Sequence, residues 1–490
     1  MILGIDVGTQ SLKVVVLGPD LALLGQAATG YQPSFPRPGW AEQDPRLWED
    51  ALAPTIARAL DAAGLKPDAV AALGIAGQLD GCIAVDHACR PLVPCLVWMD
   101  RRAAAELAGI DAEDLRRTTG VMLDATHMAA KIRWLARHLE GARPARYHQP
   151  VSYLVARLTG AHVFDHGHAS TTMLYGLARG GFEPALLAAF GIDAAELPEL
   201  AEAASLAGPL TAEGAVLTGL PAGLPVAVGT GDDFSTPLGG GLVAPGRFAC
   251  VLGTAEVVGA LHPAPLVDPG GLVETHGYPA GGYFIENPGW LSGGALAWLR
   301  ETLGIESFAA LDGLAAAVPP GAEGLTFLPA LSGAMAPEWH AGARGCFYGL
   351  TPAHGPGHLA RAVLEGCAFA MRDVAKRLVE LGVALDSILL LGGGAKSDLW
   401  AGIRADLTGL PVERPAVADT SPLGAAMLAA VAAGLQPDLA ACARLLGGGG
   451  ATIAPDPGTR GAYDAAYGAY RRLFDSLRPL FEARAGEGAP

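Results

Sequence analysis

Gly229-Thr-Gly-Asp-Asp-Phe-Ser235, with Val251-Leu-Gly-Thr-Ala255 shortly after it, lies near the middle of the chain and organises the rest. The first stretch sets two adjacent carboxylates, Asp232 and Asp233, in a glycine-rich turn behind the apolar run Pro225 to Val228. The second is a glycine turn behind the apolar run Phe248 to Leu252. A carboxylate beside a turn whose peptide N–H groups can hold phosphate suits one kind of chemistry. It can take a proton from a hydroxyl while a phosphoryl group arrives.

The N-terminus repeats the second pattern. Met1 to Ile5 and Val14 to Leu17 are apolar runs, and Asp6-Val-Gly-Thr-Gln-Ser-Leu-Lys13 joins them as strand, tight turn, strand. Gly8 can take positive φ and turn the N–H groups inward as an anion nest. Thr9, Gln10 and Ser11 add donors, and Asp6 can hold Mg²⁺ through water. A plain polar hairpin is the competing reading. Thr9 and Thr254 stand half a chain apart (254 − 9 = 245). Two strand–Gly-Thr–strand units so spaced suggest a duplicated architecture with a cleft between its halves.

Between the two turns, Pro38-Gly-Trp-Ala-Glu-Gln-Asp-Pro45 ends in a helix start, with Asp44 as N-cap and Pro45 in the first turn. Trp48, Leu52, Ile56 and Leu60 follow at helical spacing. Trp40 either walls a sugar site or fixes its own loop. Val70 to Ile75 reads as a strand ending in Ala76-Gly-Gln-Leu-Asp-Gly81, and Cys95 to Asp100 as another strand. Polar groups at strand ends of an α/β sheet commonly line the ligand crevice, so Gln78, Asp80 and Asp100 are substrate candidates. Asp80 reads equally well as a turn residue before Gly81. Phe164-Asp-His-Gly-His168 has a metal-like look, but without a third clear ligand it reads as a polar loop.

Beyond the centre, Ile388-Leu-Leu-Leu-Gly-Gly-Gly-Ala-Lys-Ser397 is a buried strand breaking into glycines, with a helix from Ser397. Backbone at Gly392 to Gly394 can approach a flat ligand, and the helix N-terminus favours phosphate. Pro422 to Ala429 is a helix of small residues suited to close packing on a sheet. Leu446 to Gly450 reads as a linker, the last seven residues as frayed, and Tyr463, Tyr467, Tyr470 and Phe474 as the docking stripe of a C-terminal helix.

At 490 residues the chain is too long for one ordinary core and predicts two or three domains. A formal charge of −16 with no basic stripe argues against nucleic acid as a partner. It leaves room for a nucleotide, because phosphate sites are local and often built from backbone. The seven cysteines show no CxxC spacing, which predicts reduced thiols in the cytoplasm. Cys82, Cys89 and Cys95 read as small buried hydrophobes rather than a zinc site. No basic n-region or h-region opens the chain, so no signal peptide is expected. The longest apolar helical run, Leu423 to Leu435, falls short of the ~20 residues that span a bilayer, so no membrane partner is expected.

The motifs IDVGTQSLKVVVL, PGWAEQDP, GIAGQLDG, VWMDRRA, GTGDDFSTPLGGG, VLGTAEVV, FLPALSG, ARGCFYGL and LLLGGGAKSDLW stand in the order found in the FGGY carbohydrate kinases. The chain resembles that family from Met1 to about Gly434, and its xylulokinase branch most. The resemblance implies an α/β fold of two actin-like (ribonuclease H-like) domains closing on a central cleft. It divides the chain into 1–244, with the sugar site and base, 245–436, with the nucleotide site, and 437–490, a helical tail. It implies ATP and Mg²⁺ as cofactors and a small sugar or polyol as substrate; a homodimer is a candidate assembly. By motif match Asp232 is the catalytic base, and Asp6 with Asp232 serves the metal. Gly8, Thr9, Gln10 and Lys13, then Gly253 and Thr254, then Gly392, Gly393, Gly394, Ala395 and Ser397 fall on the nucleotide side. Trp40, Gln78, Leu79, Asp80, Asp100 and Asp233 fall on the sugar side.

Two departures stand out. Xylulokinases usually read GQMHG where this chain has Gly77-Gln-Leu-Asp-Gly81, and GDN where it has Gly231-Asp-Asp. A His and an amide are thus both replaced by acceptor-only carboxylates. Phosphorylation of a ketopentose, D-xylulose first, is the leading expectation. A polyol kinase of erythritol or arabinitol type, or a kinase for ribulose or L-xylulose, is the alternative. A non-catalytic actin-like sensor is a third class, and the retained Asp6, Asp232 and both Gly-Thr turns speak against it.

Overall fold

The computed structural model describes residues 1–139, 141, 143–417, 419–446 and 450–486. The expected linker at Leu446 to Gly450 falls mostly on 447–449, and the expected frayed end partly on 487–490, both outside the described residues.

Strands β1 (Ile2–Val7), β2 (Ser11–Leu17), β3 (Leu23–Gly30), β4 (Ala72–Gly77), β5 (Leu206–Pro209), β6 (Pro225–Ala227) and β7 (Thr230–Gly231) form the first sheet. Its order is β5-β6-β4-β1-β2-β3, with β7 also pairing β4. β1 and β4 are buried along their whole length and run parallel, as unbroken apolar strands do when both faces are covered. Helix α1 (Arg46–Ala62) buries Trp48, Leu52, Ile56 and Leu60, the expected stripe. The helices α2 (Met128–His138), α3 (Pro150–Thr159), α4 (His166–Ser170) and α5 (Asp232–Gly239) complete this half.

Strands β8 (Gly246–Leu252), β9 (Ala255–His262), β10 (Glu274–Gly277), β11 (Tyr283–Leu291), β12 (Leu385–Leu391), β13 (Val412–Arg414) and β14 (Ala451–Ile453) form the second sheet, ordered β10-β11-β9-β8-β12-β13-β14. In both sheets the first strand opens an antiparallel meander on one side and takes a parallel strand on the other. This is the actin-like plan, laid down twice.

Helix α6 (Pro356–Glu380) buries one long face, and α7 (Asp398–Thr408) follows the Gly392 loop. Arg404 of α7 grips Glu256 of β9 through two bonds of 2.6 and 2.8 Å, both side chains fully buried. Helix α9 (Arg460–Gly486) docks on this half with Tyr463, Tyr470 and Phe474 buried, and Tyr470 packs 5.5 Å from Phe369.

Helix α8 (Ser421–Ala432) belongs to the C-terminal half in sequence but packs on β1 and β4 of the first sheet. Contact is backbone to backbone. A Cβ on Gly4 would lie 1.8 Å from the Pro422 carbonyl oxygen, and one on Gly74 would lie 2.0 Å from that of Ala425. The same helix meets α5, where a Cβ on Gly424 would lie 2.1 Å from the Ser235 carbonyl oxygen. The small-residue helix therefore ties the two halves together, directly behind the carboxylates of α5.

Candidate active site

The first turn is held from behind. Gly8 N–H donates to Ser11 O at 3.0 Å, and Tyr31 Oη donates to Gly8 O at 2.8 Å. Gln43 Nε2 donates to Thr9 O at 3.0 Å, Gln78 Nε2 to Gln43 Oε1 at 2.9 Å, and Trp98 Nε1 to Thr9 Oγ1 at 3.0 Å. Gln78, a sugar candidate, is thus buried and spends its amide on the scaffold of the first turn. Gly8 does not use positive φ, and a Cβ there would meet only Ser11 O at 3.3 Å. Asp6 ends β1 level with Lys13 and Ala76. Its Oδ1 is buried with no hydrogen-bond partner, and its Oδ2 lies 3.9 Å from Lys13 Nζ. Lys13 itself reaches 2.8 Å to Asp419. Burial, then the charge of Asp232, pushes the Asp6 carboxyl up to about 7 against the pull of Lys13.

Asp232 opens α5 straight after β7. Gly229, at φ 80°, makes the bend, since a Cβ there would lie 2.2 Å from the Ile75 carbonyl oxygen. Gly231 must be glycine because the Leu79 side chain lies over it, 2.1 Å from where a Cβ would stand. Leu79 therefore packs on the strand that presents Asp232. Both acids sit in the first turn of α5, where the helix dipole favours negative charge. Burial, then the neighbouring Asp233, pushes Asp232 up to about 7, with His168 opposing. Burial, then Asp80, pushes Asp233 up to about 6.

A second shell of ionisable groups closes around Asp80 and Asp233, and sequence reading missed it. His127, which precedes α2, brings Nδ1 to 3.2 Å from Asp80 Oδ2. Its Nε2 lies 3.9 Å from Glu274 Oε1, which also accepts from Met122 N at 2.7 Å. His276 Nε2 lies 3.4 Å from Glu286 Oε1 and 3.7 Å from Glu274 Oε2. Burial alone would lower His127, yet Asp80, then Glu274 and Asp124, raise it to about 9. Burial, then Asp233, holds Glu286 well above the usual carboxylate range. Glu274 and His276 arrive on β10, which crosses from the other half: Thr275 N donates to Gly120 O at 3.1 Å and Gly277 N to Ser170 Oγ at 3.1 Å. Single His and Glu residues in apolar surroundings carry no spacing signal.

Further expectations change. The Asp-His-Gly-His stretch is a buried helical turn, α4, rather than a polar loop. Asp165 caps it, accepting from Gly167 N at 3.0 Å and His168 N at 3.1 Å. The Asp165 carboxylate also takes His168 Nδ1 and, at 2.8 Å, Thr230 Oγ1, which fixes β7 from below. The strand expected over Cys95 to Asp100 is confined to Cys95–Leu96. Asp100 is fully buried and engaged by Arg102, by Ala41 N at 2.7 Å and by Arg102 N at 3.1 Å, a set that leaves it inside the loop scaffold rather than in the cleft. Arg102 in turn lies 3.6 Å over the Trp40 ring, and Trp134 meets that ring edge-on at 5.6 Å. Trp40 is caged as a loop anchor.

On the other side, Gly253-Thr254-Ala255 is an exposed tip. Gly294 N donates to Thr254 O at 2.9 Å, and a Cβ on Gly293 would lie 2.2 Å from Gly253 O. Gly392, at φ 82°, leaves β12 beside this tip, and a Cβ there would lie 2.6 Å from Leu252 O. Gly393 has open space around it. Ser397 Oγ caps α7 by accepting from Trp400 N at 3.0 Å, and Arg414 donates to Ala395 O at 3.0 Å. A cavity of ≈ 360 Å³ opens here, lined by Gly392, Ala395, Lys396, Arg414, Pro415 and Val417. Its size and bare backbone suit a nucleoside. Among the described residues, no helix is long and apolar enough to cross a membrane.

Known proteins share this arrangement. Residues 1–239 match the N-terminal domain model, and 248–433 the C-terminal domain model, of the FGGY family of carbohydrate kinases. A glycerol kinase of Alkalilimnicola ehrlichii is 34% identical over 461 residues, 89% of this chain and 90% of its own. The xylulose kinase of Escherichia coli K12 is 32% identical over 491 residues, covering 98% of this chain and 100% of its own. The solved xylulose kinase of Rhodospirillum rubrum superposes with a TM-score of 0.88 at 32% identity, covering 98% of this chain and 99% of that one. With two domain models in sequence and full-length relatives above 30% identity, the chain belongs to the FGGY family of carbohydrate kinases, which use ATP to phosphorylate sugars or polyols.

Proposed function

We propose that this kinase phosphorylates a terminal hydroxyl of a ketopentose, with D-xylulose the first candidate. One observation carries the reading: the charge of Asp232, at the start of α5, acts in two directions, on Asp6 and, through its neighbour Asp233, toward Asp80, which His127 meets at 3.2 Å. The first direction offers a metal and phosphate end; the second offers a polyhydroxyl end. The xylulokinase pattern has a His at position 80. Here an Asp stands there, and His127 brings an imidazole to the same spot. Held largely protonated, that imidazole is a donor for a keto or hydroxyl oxygen, while Asp80 accepts from a vicinal hydroxyl. The full-length match to a xylulose kinase supports the same choice.

Asp232 accepts the hydroxyl proton as the sugar oxygen bonds to the γ-phosphorus and the bond to the ADP oxygen breaks. A carboxyl pushed up to about 7 is poised to hold that proton near neutrality. Residues 1–244 supply the base and most sugar contacts, with Glu274 and His276 added from the second half. Residues 245–436 supply the Gly253 and Gly392 backbone for the nucleotide. The unpartnered Oδ1 of Asp6 and the neighbouring Asp232 carboxylate suit a hard cation reached directly or through water. When bound there, Mg²⁺ supplies charge neutralisation to the phosphate oxygens. Lys13, level with Asp6, holds that carboxylate in place and can turn to phosphate.

A polyol substrate is the second reading, motivated by Asp80 and Asp233 as paired acceptors. ADP release is measured against D-xylulose, L-xylulose, D-ribulose, erythritol, arabinitol and glycerol. D-Xylulose is expected to give the highest kcat/KM. Turnover of polyols with none of any ketose would replace the first reading with the second.

A further inference from the structure

Away from the cleft, Cys89, His148 and His162 bring three ligand atoms within 4.8 Å of one another, the one such group of His, Cys, Asp or Glu among the described residues. They come from three separate segments. Cys89 lies in the turn after the strand Ile83–Val85, where its N–H donates to Asp86 O at 3.0 Å. His148 ends the strand Arg146–His148, paired with Ile83–Val85, and His162 follows α3. Cys89 and His148 are buried and His162 is half-buried, which leaves a path for an ion to enter.

His148 Nε2 faces His162 Nδ1 at 3.0 Å. Ser152 Oγ lies 3.0 Å from His148 Nδ1 and accepts from Gln149 N at 3.1 Å, so it holds the ring by the nitrogen that faces away from His162. A hydroxyl that fixes a ring in this way is what orients a metal-ligating histidine. Two metal–nitrogen bonds of about 2.0–2.1 Å at a tetrahedral angle separate the nitrogens by roughly 3.3 Å. The observed spacing needs only a slight opening.

We propose that Cys89, His148 and His162 form a zinc-class metal site, with water completing the tetrahedron. A thiolate with two imidazoles selects a borderline-to-soft first-row ion over Mg²⁺. On binding, the Cys89 thiol releases its proton to solvent and each imidazole presents an unprotonated nitrogen to the ion. Because the thiol must lose its proton to bind, affinity should rise with pH.

The test is Co²⁺ titration of the metal-stripped full-length protein followed by absorption. One equivalent of Co²⁺ is expected to give tetrahedral d–d bands and a thiolate-to-cobalt charge-transfer band in the near ultraviolet, both displaced by Zn²⁺. Cys89→Ala should abolish the charge-transfer band while circular dichroism and sugar-kinase turnover stay unchanged. Ser152→Ala should weaken Co²⁺ by roughly 10–100-fold. His162→Gln, at a half-exposed position, provides a second ligand variant should Cys89→Ala fold poorly, and it should lose the tetrahedral bands. Absence of the near-ultraviolet band in the wild type, or its survival in folded Cys89→Ala, overturns the assignment.

Discussion

The two Gly-Thr turns share a build and differ in chemistry. Each joins the first two strands of a seven-stranded sheet, and each follows a buried apolar strand. The first is a charged device: Asp6 ends its strand, Lys13 stands opposite, and side chains of Gln43, Tyr31 and Trp98 brace the loop. At the matching places the second has Val251 and Val258, and its charged neighbour Glu256 is locked inward on Arg404. What the second turn offers is backbone, kept open by Gly293 and Gly392. The same scaffold is laid down twice, and a strand-end carboxylate sets the first copy apart as the proposed cation site.

That contrast can be broken or sharpened in turn. The largest effect is expected at Asp232, the proposed base. Asp232→Ala should lower kcat by at least ~10²-fold while leaving ATP affinity near wild type by calorimetry, because the proposed nucleotide contacts lie elsewhere. Wild-type turnover in that variant would remove Asp232 from the reaction. Next, Asp6→Asn makes the first turn as uncharged as the second. The Mg²⁺ concentration for half-maximal rate should then rise by roughly 10–100-fold; an unchanged Mg²⁺ dependence would place the cation elsewhere. A smaller, several-fold rise in KM for ATP is expected from Gly392→Ala, whose Cβ would meet Leu252 O at 2.6 Å, and little change from Gly8→Ala, where the nearest atom is at 3.3 Å.

The pH response should be subtler. The acid limb of kcat/KM should have its midpoint near 7, the value to which Asp232 is pushed. Asp233→Asn removes the second of the causes that raise it, so the midpoint should move to lower pH. Stability gives an independent reading of the same charges. Asp6 and Asp232 are raised to about 7 from an unfolded value near ~4, so their contribution is complete at low pH and lost as pH rises to about 7. His127, raised to about 9 from ~6.5, keeps its contribution below ~6.5 and loses it through about 9. The ligand-free protein should therefore melt progressively lower from mildly acid to alkaline pH by calorimetry, and Mg²⁺ should restore more at the alkaline end.

Much of this was legible along the chain. Unbroken apolar runs announced β1, β4, β8 and β12, because strands covered on both faces need no polar alternation. The glycine turns and Asp232 were legible because backbone that approaches another chain closely tolerates few residue types. The small-residue helix α8 was legible as a close packer, but its partner was not. Nothing in Pro422 to Ala429 says that the strands it covers were laid down in the first eighty residues of the chain. Gln78, Asp100 and Trp40 look like sugar ligands until their own neighbours are seen to occupy them.

Local pattern thus settled most of the strands, the glycine turns and the family, since each depends on residues close together in the chain, and it singled out Asp232 as the candidate base. The histidine beside Asp80, the carboxylates on β10, the raised proton affinities and the Cys89–His148–His162 cluster depend on burial and on charges from distant segments. Those quantities come into being when the halves pack, because a side chain's solvent and its neighbours are properties of space rather than of order.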